Sequence, residues 1–296
     1  MSEPLFQHIY LKDEQSYNIL HVDRPHFVVP WHLHPEIEIM SIVGGEGNRF
    51  VGDSVENFEP GDLVMVGSNL PHVWKSGSRH YESNAAYRAT AYVVLFKTES
   101  FGNGFFDISE LKKIKELFAR AERGVCFSGR TSQSVAKKIV DAYSHTGVKR
   151  FTLFIDILND LAESPEYRLL SSIGYKSTLF DNDMQRLNKV FDYLTLNFNR
   201  PLRLDEIATK AYMSPTAFCR YFKSHTNKTV IGFLNELRIG HAKKLLIENK
   251  SNISDIHFSC GFHNASNFYE QFRKTVGCSP LQFRKQHEDK NMEILQ

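Results

Sequence analysis

The residue types best suited to chemistry near the N-terminus stand in the run Trp31-His32-Leu33-His34-Pro35-Glu36-Ile37-Glu38. His32, His34 and Glu38 share parity, so an extended strand would turn all three to one side, with Pro35 as the one interruption. Imidazole and carboxylate together suit a divalent transition metal such as Mn, Fe, Ni or Zn. They suit equally a polar pocket that holds an organic molecule without metal. A second set stands between Leu202 and Thr226. Leu204, Ile207, Ala208 and Ala211 give a short helix an apolar face, Tyr212-Met213 turns, Ser214 is a good N-cap and Pro215 suits the first helical position. Phe218, Tyr221 and Phe222 then face inward, leaving Thr216, Ala217, Cys219 and Arg220 outside. A helix offered in that way fits the DNA major groove, where an arginine can pair bidentately with guanine or else hold a phosphate.

The elements that must carry these residues divide the chain. Short runs rich in Val, Ile, Phe and Tyr predict strands at Ser16–Val22, Glu36–Val43, Gly47–Val51, Asp62–Val66 and Tyr87–Phe96, a spacing that suits a small antiparallel barrel. The period then becomes helical, with helices expected at 109–123, 132–144 and 150–162. Residues 164–183 lack periodicity and read as a linker. From Met184 the pattern is helical to the end. A helix at 184–197 precedes the first turn motif, and a long helix at 230–248 follows it. The motif then recurs: Ile253, Ile256 and Phe258 mark a short helix, Cys260-Gly261-Phe262 turns, Asn264 or Ser266 caps, and Phe268, Phe272 and Val276 face inward. Asn264, Ala265, Ser266, Asn267, Tyr269, Glu270 and Arg273 lie near the outer face, and GCSPLQFRK closes the module with a helical stub.

Charge follows the same division. Residues 184–287 hold 16 Lys and Arg against 7 Asp and Glu, whereas residues 1–183 hold 19 against 24. A basic module on an acidic body points to one part that meets a polyanion. No apolar run approaches the ~20 residues of a membrane helix, and no basic-then-apolar leader opens the chain, so a cytoplasmic protein without a membrane partner is expected. Cys126, Cys219, Cys260 and Cys278 show no C-x-x-C spacing and read as reduced thiols.

Residues 184–287 resemble the DNA-binding domain of the AraC/XylS family. The resemblance rests on LRIGHAKKLLIENKSNISDIHFSCGFHNASNFYEQFRKTVGCSPLQFRK, with its long helix, I-x-x-I-x-x-x-x-G-F step and G-x-[ST]-P-x-x-[FY]-R ending. His257 and Cys260 stand where the family more often has small residues or alanine. The resemblance implies base-edge contacts from Thr216, Ala217, Cys219 and Arg220, and from Asn264, Ala265, Ser266, Asn267, Tyr269 and Glu270. Lys223 and Arg273 read as phosphate-positioning charges. Residues 31–45 and 61–72 resemble the two signature stretches of the cupin barrel, through His32, His34, Glu38 and Gly45, then Gly61 and His72. Gly67 and Asn69 depart from the second pattern. The cupin resemblance implies a metal set of His32, His34, Glu38 and His72, inside an effector pocket to which Arg24, Trp31, Trp74 and Arg88 could contribute.

Together these readings predict an α+β multidomain protein. Residues 1–104 form an effector-sensing cupin-like barrel, 105–165 a helical segment for support and dimerisation, 166–183 a linker, 184–287 a double helix-turn-helix domain and 288–296 a tail. The expected function is a sequence-specific transcription regulator, more often an activator, that senses a small molecule such as a sugar. Its expected partners are promoter DNA, the effector, a second copy of itself and RNA polymerase. One rival is a metal-dependent cupin isomerase or oxygenase with an accessory helical domain; the other is an architectural DNA binder without sequence preference.

Overall fold

The structure is a computed structural model, and it describes residues 16–27, 29–77, 88–175, 181–249 and 251–294. Residues 176–180 of the expected linker, and Tyr87 at the start of an expected strand, lie outside the described residues. The chain separates into two compact units that meet along the sequence at Met184 and Gln185.

The first unit is built on two β-sheets. One has six strands in the order β1-β7-β2-β5-β8-β9: β1 Tyr17–Arg24, β2 Ile37–Gly44, β5 Leu63–Val66, β7 Ala89–Phe96, β8 Val125–Phe127 and β9 Tyr167–Leu169. The other has three, β4-β3-β6, from β3 Gly47–Val51, β4 Ser54–Phe58 and β6 His72–Ser76. Among the described residues the ladders therefore form two sheets and not one closed barrel. Strand alternation splits the larger sheet into two faces. Ile37, Ile39, Leu63, Met65, Val94, Phe96, Val125 and Phe127 join one core, while Met40, Ile42, Val64, Val66, Val93, Leu95 and Cys126 join another with Val51, Phe58 and Trp74 from the smaller sheet and Leu70 from the loop before β6. The second core therefore draws its side chains from both sheets.

Helices α1 (Lys112–Ala121), α2 (Gly129–Ser144) and α3 (Gly147–Glu163) cover the first face. Their apolar stripes, with Leu117, Ile139, Phe154 and Leu158 fully buried, belong to the same core as the strands. The expected separate helical segment is thus the second layer of the N-terminal unit. The expected linker needs correcting too. Within it, β9 extends the six-stranded sheet, Ser171 Oγ donates to the Val51 carbonyl at 3.2 Å, and Ser172 donates to both carboxylate oxygens of Asp53. Tyr175 packs on the inner core beyond them.

The second unit is helical: α4 Asp181–Asn197, α5 Leu204–Lys210, α6 Pro215–Thr226, α7 Val230–Glu248, α8 Ile253–Ser259, α9 Ala265–Val276 and α10 Pro280–Ile294. The expected closing stub is α10, which runs on through most of the expected tail. Helix α7 buries residues on more than one side. Phe233 meets Phe191 and Phe222, whereas Ile239, Ala242 and Leu246 pack with Ile256, Phe268 and Phe272. One helix thereby serves two small cores.

Candidate functional site

In the N-terminal unit, Glu38 sits on the inner phase of β2, paired across the ladder with Val66 and Leu95. His72 opens β6, and a two-way backbone bridge to His32 (3.1 and 2.9 Å) brings residues forty apart in sequence side by side. Ligand atoms of His32, His34, Glu38 and His72 all lie within 4.8 Å of one another. Each imidazole Nδ1 faces a backbone carbonyl: His32 that of Pro30 at 2.7 Å, His34 that of Glu36 at 3.1 Å and His72 that of Leu70 at 2.7 Å. Donation there fixes the tautomer and turns each Nε2 lone pair inward, the orientation a metal-binding histidine needs.

The electrostatics favour a cation at the centre. Burial pushes the Glu38 carboxyl up, but the His72 and His34 imidazoles together hold it well below the usual carboxylate range. Burial and the neighbouring His72 push His32 down to about 3, so it is a neutral donor at physiological pH. Burial works against a charge on His34, yet Glu38 and Glu36 on either side raise its affinity for a proton. His72 Nε2 is buried with no hydrogen-bond partner, and stands 3.6 Å from Glu38 Oε2. An orphaned lone pair among two more imidazoles and a carboxylate fits a divalent transition metal, which would neutralise Glu38 and satisfy His72.

Trp31 and Trp74 are both buried, Trp31 edge-on to Phe50 and Trp74 with its ring 5.8 Å from that of His72. Trp74 Nε1 lacks a hydrogen-bond partner. Arg24 is exposed at the end of β1, and Arg88 is exposed and paired with Asp23 at 2.6 Å, so neither joins the buried cluster. Sequence reasoning missed Glu36, whose buried carboxylate lies 3.4 Å from His34 Nδ1. Its parity with His34 and Glu38 was the available signal. It missed as well the fully buried Arg49, which donates to Asp62 at 2.8 Å.

In the C-terminal unit, Ser214 caps α6 by accepting from the Ala217 N–H, and Asn264 caps α9 by accepting from the Asn267 N–H at 2.8 Å. Of the two expected caps, then, Asn264 serves, and its Oδ1 is committed to that bond. Phe218 and Phe222 anchor α6, and Phe268 and Phe272 anchor α9, all fully buried. Thr216, Cys219, Arg220 and Lys223 are left exposed on α6, with Ala217 half-buried. On and beside α9, Asn264, Ala265, Ser266, Asn267, Tyr269 and Arg273 are exposed. Glu270 lines one concavity with Tyr269, Arg273 and Lys274. On α8 the expected apolar face is corrected: His257 is buried and Phe258 is 63% exposed. Helical spacing from Ile253 puts positions 256, 257 and 260 on one side, which turns Phe258 out.

A family model described as a helix-turn-helix domain matches residues 207–286, from within α5 to within α10, and so takes in both helix pairs. The transcriptional activator RhaR of Mannheimia succiniciproducens is 24% identical over 284 residues, 95% of this chain and 96% of its own length. The transcriptional activator RhaS of Escherichia fergusonii is 24% identical over 277 residues, 88% and 89% of the two chains. Residues 207–286 thus carry a helix-turn-helix domain, and along most of its length the chain is similar to transcriptional activators. This similarity to regulators extends across the N-terminal unit. Among solved structures, a regulator from Chromobacterium violaceum with an AraC-type DNA-binding domain is 26% identical, covering 34% of this chain and 91% of that one at a TM-score of 0.33. No described helix of the regulator is long and apolar enough to cross a membrane.

Proposed function

We propose that the regulator is a cytoplasmic, sequence-specific transcription activator whose N-terminal unit, a cupin-like sandwich, senses a small molecule. The observation that carries this reading is the pair of exposed faces on α6 and α9, each capped and each backed by two buried phenylalanines. Such helices would enter major-groove segments about one turn, ~34 Å, apart. Arg220, Thr216 and Cys219 would read bases with α6, and Ser266, Asn267 and Tyr269 with α9, while Lys223 and Arg273 hold phosphates.

His32, His34, Glu38 and His72 would hold a divalent transition metal, with Trp31 and Trp74 flanking the effector. The metal would supply a Lewis-acidic anchor for an oxygen donor such as a sugar hydroxyl or carboxylate. Effector binding would change promoter occupancy only so far as it favours one arrangement of the chain over another. The Asp53–Ser172 clasp supports a route, because it fastens the chain leading out of the unit to the turn after Val51, the residue paired with His72. A homodimer that recruits RNA polymerase completes the reading, and sedimentation at micromolar concentration checks the dimer.

The test is DNA binding by the full-length protein to genomic fragments at fixed salt. Arg220→Ala is expected to weaken binding to the selected site by about 5- to 150-fold, the loss of one bidentate base contact, with much less effect on random duplex. A protein that selects no fragment over random DNA, or an Arg220→Ala variant that binds its site as wild type does, overturns the proposal.

A further inference from the structure

The three histidines of the buried cluster are not supported alike. His32 and His72 have a backbone carbonyl behind Nδ1, whereas His34 has the Glu36 carbonyl at 3.1 Å and also the Glu36 carboxylate, Oε2, at 3.4 Å. Glu36 is itself buried, and its other oxygen, Oε1, accepts from Lys97 Nζ at 3.2 Å. A buried carboxylate is expensive without compensating donors, and these two groups are what face it. Its place in the fold is specific. Ile37 and Phe96 are the terminal partners of the β2–β7 ladder, so Glu36 and Lys97 form the next rung, made by side chains. Lys97 then precedes the 3-10 turn Thr98–Phe101, and the Phe101 ring stacks on Phe154 of α3 with centroids 5.4 Å apart and planes 2° from parallel.

We infer that Glu36 is an outer-sphere positioning residue for the metal centre, orienting His34 from behind and, through Lys97, tying the centre to the corner where the sheet passes into the helical layer. The inference rests on the metal reading given above. A metal ion on Nε2 draws electron density from the ring and strengthens the Nδ1–H as a donor. A carboxylate there stabilises the loaded state more than a carbonyl alone. Linkage makes the effect mutual: whatever holds Glu36 in place raises metal affinity, and metal holds Glu36 and Lys97 in place.

The experiment titrates the full-length protein with Zn(II) and Ni(II) against a chromophoric chelator, comparing wild type, Glu36→Gln and Lys97→Met. Hydrogen exchange of residues 97–105 is followed with and without metal. Glu36→Gln keeps the backbone carbonyl and the side-chain volume but loses the charge, and about 10- to 100-fold weaker metal binding is expected. Lys97→Met is expected to shift affinity in the same direction by a smaller factor, and serves as the test if Glu36→Gln does not fold. In wild type, metal should slow exchange at residues 97–101, and that protection should vanish in both variants. A rung that merely staples two strands would alter exchange without altering metal affinity. Equal metal affinity in wild type and variants therefore overturns the inference and leaves the metal centre standing. A wild type that binds neither metal removes the metal centre itself, and the inference with it.

Discussion

Glu206, on the first turn of α5, accepts from the Tyr193 hydroxyl and from Arg200 at 2.6 Å. The Arg200 guanidinium first, and the Tyr193 hydroxyl after it, hold its carboxyl down at about 2 against an ordinary 4.5. A folded-state value below the unfolded one gives stability that is complete above the ordinary value and lost as pH falls toward about 2. Acid titration of the C-terminal unit's helical signal should show that limb, and Glu206→Gln should flatten it. An unchanged acid limb in the variant would assign the pH dependence elsewhere. Burial pushes the Cys260 thiol up to about 12, which disfavours the reactive thiolate at that position. In the buried cluster, the parity of His32, His34 and Glu38 was legible from the sequence alone. Glu36, of the same parity and at the head of the expected strand Glu36–Val43, was passed over because nothing in the sequence shows that its carboxylate is buried.

At the scale of elements, the two helix-turn-helix units repeat one turn with different residues. Tyr212 and Gly261 both adopt positive φ, 57° and 77°, and in each unit the next residue's N–H reaches back five residues, at 3.1 Å. Tyrosine carries the cost of the left-handed region, ~1–2 kcal/mol, and glycine does not. A Cβ at Gly261 would stand 2.4 Å from the Phe198 carbonyl, an oxygen already held by Arg238. Gly261→Ala should therefore lower the unfolding free energy by more than ~1 kcal/mol, while Tyr212→Gly at the exposed turn should be neutral or stabilising. Urea denaturation followed by circular dichroism checks both, and equal costs at the two turns would refute the comparison. The helices were legible because caps and i, i+3, i+4 spacing are local signals. Strands β4, β6, β8 and β9 were not. They are three to five residues long, so their period is weak, and β8 and β9 pair only across the intervening helices α2 and α3.

The whole molecule has two kinds of interior. In the C-terminal unit, phenylalanines pack around α7, and among the described residues no cluster of metal-ligating side chains stands there. The N-terminal unit encloses a carboxylate, three imidazoles and an orphaned nitrogen in its sandwich. Stripping divalent metal with a chelator should lower the calorimetric transition of the N-terminal unit and leave that of the C-terminal unit unmoved. Restoring Zn(II) at a hundredfold excess over its Kd should return ~2.7 kcal/mol. Identical scans with and without chelator would dismiss a resident metal. The sequence by itself determined the helix-turn-helix domain: α6 and α9, with their caps and exposed faces, are written in contiguous stretches, where helical periodicity and capping need no distant partner. Tertiary structure alone decided that His32 and His72 lie side by side, that Lys97 reaches Glu36, that the three N-terminal helices share a core with the sheet, and that the supposed linker begins as its edge strand. Each of those is a contact between residues far apart in the chain, set by which strands pair and which faces they bury.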